Sequence, residues 1–203
     1  MGALGGPVIS FRQGVDGFTG AVDTFVREGD PFTNFSGDTT VQQNNDVDGF
    51  SVDDGVEVGL LRFDGIFGNG FGQIPLGSAI DTAGLELQGF GVSGGIAVHN
   101  LLEDLDFTTI SFANALTNGL PGIQADGSEA ELLPSATGAI GGGGLFGFSS
   151  TINVTNSLAA FSAGQDNFGF AIFDTSGGLG TNFLSSDAGL IFRPELTLSL
   201  IHI

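Results

Sequence analysis

Short runs in which apolar and polar residues take turns recur along this chain, separated by clusters of Gly, Asn and Asp. Ala21 to Arg27 (AVDTFVR) and Val56 to Asp64 (VEVGLLRFD) show the pattern most clearly. Val8 to Phe11, Asp81 to Phe90, Gly95 to Leu102, Phe148 to Val154, Phe168 to Phe173 and Pro194 to Thr197 repeat it. A two-residue period puts alternate side chains on opposite faces, so each run predicts a half-buried antiparallel strand. Helical spacing occurs at Thr155 to Ala163 (TNSLAAFSA), where Leu158 and Phe161 share a face. Thr155 is placed to cap that turn and Gly164 to end it. The expected fold is all-β, an antiparallel sandwich with one short helix.

Length and composition keep that picture and narrow it. The chain has 203 residues, 41% of them hydrophobic, enough for one sizeable core. Its 36 Gly follow no Gly-X-Y period, which excludes collagen and reads as turns. The expected division is a single domain over 8–197, with 1–7 an upstream linker fragment. The last six residues, Leu198 to Ile203 (LSLIHI), match the translation of a common sequencing-library adapter and are expected to be a non-native tail. The other reading of LTLSLIHI is an ordinary apolar last strand.

The alphabet removes most catalytic chemistry. There is no Cys, Lys, Trp or Tyr, and the histidines are His99 and His202. That leaves no thiolate, no Schiff base and no Cys-ligated zinc. Glu103, Asp104 and Asp106 are the nearest thing to a glycosidase carboxylate pair, without other supporting residues. The glycine run at 141–144 lacks the GK[ST] of a phosphate loop. The chain reads as a non-enzyme. Four Arg stand against 23 acidic residues, a net charge of −19. Nucleic acid and anionic membrane surfaces are thereby disfavoured as partners. No apolar run reaches the roughly 18 residues of a membrane helix, so membrane insertion is not expected. MGALGGPVIS lacks the features of a signal peptide.

Several stretches, in order, resemble the DNRLRE family, the disaggregatase-related β-sandwich domains that include carbohydrate-binding module family 96. They are Phe11 to Thr40, LLRFDGIFG with IPLGSAIDTAGLEL (Leu60 to Leu87), Val98 to Asn114 and Ile123 to Gly138. INVTNSLAAFSAGQDNFGFAIF (Ile152 to Phe173) and the closing stretch from Phe183 to RPELTL follow. The resemblance implies a jelly-roll sandwich, non-catalytic, carried by a secreted or cell-surface protein and binding a polysaccharide such as alginate. It also places Phe or Leu (Phe25, Phe35, Leu105, Phe112, Phe161, Phe168) where Tyr or Trp is expected. A polyuronate needs cationic groups, and only Arg12, Arg27, Arg62 and Arg193 exist. A neutral glycan, or an anionic one bridged by calcium, suits this charge better.

Candidate residues follow from chemistry and loop position. Arg27, Asn34, Phe35 and Asp38 lie in or beside the loop after an early strand, where ligand-binding groups are commonly carried. Asp46, Asp48, Asp53 and Asp54 are candidate calcium ligands, supported by Asn44, Asn45 and Glu57 in NNDVDGFSVDDGVE. A solvated acidic loop explains the same spacing. Arg62 and Asp64 should share one strand face as a structural ion pair, with Leu61 and Phe63 on the other. His99 reads as a satisfied imidazole. Phe25, Phe63, Phe112, Phe161, Phe168 and Phe170 are expected inside. Two functions remain open: a glycan-binding module, or an adhesive sandwich subunit of an extracellular appendage or matrix, associating with copies of itself.

Overall fold

The computed structural model describes residues 6–45, 55–91, 93–116, 119–141, 148–177 and 180–201. Among them are eleven strands: β1 Val8–Arg12, β2 Ala21–Arg27, β3 Thr40–Gln43, β4 Glu57–Phe63, β5 Ile80–Gln88 and β6 Gly94–Asn100, then β7 Ala136–Ile140, β8 Ser149–Asn153, β9 Phe170–Asp174, β10 Thr181–Leu184 and β11 Glu195–Leu200. A single α-helix, α1, spans Thr155–Ser162. One sheet runs β1-β11-β5-β8 and the other β2-β4-β9-β6-β7, with β3 and β10 in a separate ribbon. All the paired strands are antiparallel. The chain passes from sheet to sheet between β1 and β2, β4 and β5, β5 and β6, β7 and β8, β8 and β9, and, by way of β10, β9 and β11. That is the wrapped order of a jelly roll, with β4 added between β2 and β9.

Alternation explains the packing. In β4, Leu61 and Phe63 face the other sheet and join the main core with Phe25, Phe170, Leu85 and Leu198. Val58 and Leu60 point the opposite way, yet they are equally buried. Residues 101–116 and 119–135 cross that outer face, and Leu101, Phe107, Ile110, Ile123 and Ala130 pack against Val26, Val58, Leu60 and Ala171. The five-stranded sheet is therefore covered on both sides. Arg62, on the outer face of β4, holds this cover down. Its Nε lies 2.8 Å from Asp64, its Nη1 donates to Asp104 at 2.8 Å, and its guanidinium sits 5.0 Å from the Phe107 ring centre.

Four of the six expected core phenylalanines are buried, while Phe112 and Phe168 are half-buried in the outer layer. Gly59 shows why β4 tolerates a glycine. A Cβ there would meet Gln43 Nε2 at 2.6 Å and Val41 Cγ1 at 2.9 Å, so its absence lets the β3–β10 ribbon lie against the sheet.

One expectation about α1 needs correction. Thr155 does not cap it, because its Oγ1 accepts from the Ala83 amide at 2.9 Å and so ties the helix start to β5. Asn153 instead accepts from the Thr155 amide at 3.0 Å. The end is as expected: Gly164 takes φ +104°, with Gly164 N bonded to Phe161 O and Gln165 N to Ala160 O. The final strand passes Thr197 without a break and runs to Leu200, with Leu198 buried between the sheets.

Asp23 of β2 lies buried and accepts from the Ser186 amide at 2.6 Å. Burial pushes its carboxyl up to about 6, against the lowering effect of that bond. The folded protein keeps this proton to higher pH than the unfolded chain does. Asp23 therefore lowers stability as pH rises from about 4 to 6, by on the order of 3 kcal/mol in full. Asp23→Asn should flatten that slope in denaturant melts taken from pH 4 to 7.5, and an unchanged slope would refute the assignment. Arg62→Ala should cost about 2–3 kcal/mol, since it frees the outer layer and strands its partners. Asp104→Asn should cost under about 1 kcal/mol in the same melts, because Asp104 is 74% exposed against 16% for Arg62.

Candidate functional site

A depression opens beside β1, at the end of the sandwich where β4 leaves its sheet. It measures about 790 Å³ and is floored by Ile9, Phe11 and Phe18, with Asp16, Thr19, Asp64, Phe71 and Gln73 around its mouth. Two turns build it. In the β1–β2 turn, Gly14 N bonds Phe18 O at 2.8 Å, and Asp16 and Gly17 take φ +49° and +83°. Phe18 is thereby pressed edge-on to Phe11, 5.2 Å between ring centres.

The second turn, 64–74, is organised around the Gln73 side chain. Its Nε2 donates to Gly65 O at 2.9 Å and its Oε1 accepts from Gly70 N at 2.7 Å. With Gln73 folded back into the loop, Phe71 is left fully exposed at the tip. A smaller depression of about 290 Å³ adjoins across Asp64 and Gly65 and carries Gln165, Asp166 and Asn167 on its rim. The combined trough offers an exposed aromatic face, a half-buried aromatic floor, carboxylates and amides. No arginine lines either part. Such a surface stacks apolar faces and accepts hydrogen bonds from hydroxyls.

The residues expected to bind ligand sit elsewhere and have internal partners. Arg27 Nε donates to Glu57 Oε1 at 2.6 Å, and its other arm reaches Gln42. Phe35 stacks on Phe25 with ring centres 4.2 Å apart, and the Arg27 guanidinium lies 5.2 Å from its centre. Asn34 Nδ2 donates to the carbonyls of Phe107 and Ile110, at 2.9 and 2.7 Å, and so fastens this loop to the outer layer. Asp38 is exposed, and its carbonyl accepts from Ser185 Oγ at 2.6 Å. Phe112 lines a third cleft of about 360 Å³ with Glu28, Gln124 and Phe173.

The expected calcium ligands Asp46, Asp48, Asp53 and Asp54 lie outside the described residues. Of their supporting neighbours, Asn44 and Glu57 exchange backbone bonds of 3.0 and 2.9 Å. Asn45 Nδ2 donates to Asp174 O at 3.4 Å. His202 also lies outside the described residues. His99 is buried, with Nδ1 2.7 Å from the Glu131 carbonyl and its ring edge on Phe173. The Asp106 carboxyl is held below its usual range by bonds from Thr108 and Thr109.

Reading the sequence for strands passed over Phe71. The signal was there: a phenylalanine flanked by Gly70 and Gly72, with no alternating neighbours to bury it. Comparison with family models and with curated proteins gives no match. Among the described residues no helix is long and apolar enough to cross a membrane. Gln73→Ala should loosen the 64–74 loop, seen as faster amide hydrogen exchange at Gly70 while β4 keeps its protection. Equal protection in both proteins would contradict the role given to Gln73.

Proposed function

We propose that this chain is a non-catalytic carbohydrate-binding module of a larger secreted or cell-surface protein, and that the trough beside β1 takes an uncharged polysaccharide. The observation that carries the reading is Phe71, a large aromatic fully exposed over a groove rimmed by oxygen acceptors. Sugar rings have apolar faces that pack on aromatic rings and hydroxyls that donate to Asp16, Asp64 and Asp166. The adjoining depressions give room for consecutive residues of a chain. The segments that resemble the DNRLRE family support the same class of function.

The four arginines decide the charge of the ligand. Arg12 pairs with Glu195, Arg27 with Glu57, and Arg62 with Asp64 and Asp104. Arg193 donates to the carbonyls of Ala188 and Gln13. A uronate chain would meet Asp16 and Asp166 with no arginine lining the trough to offset them, so an anionic glycan requires bridging calcium.

The alternative is self-association as an adhesive subunit. It is favoured by β1, an edge strand of its sheet with Val8 exposed.

Affinity electrophoresis through gels containing neutral glucans, xylan, galactomannan or alginate tests the proposal. Retardation is expected with a neutral polysaccharide and not with calcium-free alginate. Phe71→Ala should weaken binding at least about tenfold, near 1.4 kcal/mol, with an unchanged melting temperature. Migration unaffected by any neutral glycan, together with concentration-dependent oligomers in sedimentation, would favour the adhesive subunit instead.

A further inference from the structure

We infer that Glu129 and Asn100 form a binding site for a hard metal cation, with calcium the ion of choice, where the outer segment returns to the end of β6. Leu101 and Ala130 face each other there in an antiparallel bridge. Leu102 N donates to Glu129 O at 2.8 Å, and Glu131 N to Asn100 O at 3.0 Å. Leu101 and Ala130 project into the outer core. Alternation turns Asn100 and Glu129 to the opposite face of this ladder, as diagonal neighbours.

Glu129 is fully buried, and neither of its carboxylate oxygens receives a hydrogen bond from the protein. Asn100 is 5% exposed, and its Oδ1 is in the same condition. Three buried acceptor oxygens on one face demand positive charge or protons. The protein has no lysine, and its four arginines are engaged at Glu195, Glu57, Asp64 with Asp104, and the Ala188 and Gln13 carbonyls. His99 lies next to Asn100 in β6 and so points to the other face, against Phe173. Counter-charge for Glu129 therefore comes from solution. An all-oxygen donor set of carboxylate and amide, completed by carbonyls and water, selects a hard ion over zinc or copper.

The site is separate from the trough and does not rest on the glycan reading. Calorimetric titration and thermal melts of the full chain, with calcium and then with excess chelator, test it. Calcium should raise the wild-type midpoint and chelator should reverse the rise. Glu129→Gln, nearly isosteric, should weaken calcium binding at least tenfold and lose the shift. Asn100→Ala, checked as folded by circular dichroism, should weaken binding several-fold. A variant carrying Asp46→Asn, Asp48→Asn, Asp53→Asn and Asp54→Asn should keep the shift. A wild type indifferent to calcium overturns the inference, as does a shift that survives in Glu129→Gln or vanishes in the four-site variant.

Discussion

Positive charge is the scarce component of this protein, and its placement constrains everything else. Four guanidinium groups serve a chain of net charge −19, and each joins two parts of the fold. Arg12 and Glu195 face each other in register across β1 and β11. Arg27 joins β2 to β4 through Glu57 and to β3 through Gln42. Arg62 pins the outer layer, and Arg193 ties the approach to β11 to the turn after β1. A fork of donors over an aromatic face does this better than a point charge would. The cost falls on the surface, where carboxylates and hydroxyls outnumber any cation that could answer an anionic ligand.

The second constraint is the five-stranded sheet, apolar on both faces. A sandwich of two sheets buries only one face of each. Here Val26, Val58, Leu60 and Ala171 would be left in water without residues 101–135. That segment is long for a connection in a compact domain, and its folding depends on the sheet beneath it. Asn34 and Arg62 fix it from two sides. Its return to β6 buries Glu129, so the covering layer and the carboxyl group without a protein hydrogen bond have one origin. The trough lies at the other turns, where short glycine-rich loops leave Phe71 outside.

Much of the architecture was legible because burial wrote it into the alternation. The run read as Ala21 to Arg27 is β2 to the residue, and Arg62 with Asp64 stands opposite Leu61 and Phe63 as the spacing implied. The strands that escaped notice, Thr40–Gln43, Ala136–Ile140 and Thr181–Leu184, are short, polar or glycine-bearing. They owe their conformation to neighbours, as Gln43 and Thr181 show by bonding each other at 3.2 Å inside the fold. The same limit applied to sites. Arg27 and Asn34 looked available for a ligand because their partners, Glu57 and the Phe107 and Ile110 carbonyls, are distant in sequence. Thr155 looked like a cap because its bond to β5 depends on tertiary contact. Phe71 was passed over for the opposite reason: it stands fully exposed, and no alternating run marks it.

The central claim is therefore one of place: an uncharged glycan chain lies on the acidic, aromatic trough and not on the surface around Arg27 and Phe35. Titrating isotopically labelled protein with a neutral oligosaccharide, while following backbone amide shifts, measures this directly. The account predicts that the largest changes fall in 16–20, 64–73 and 164–167. Changes concentrated in 27–38, around Arg27 and Phe35, would contradict it.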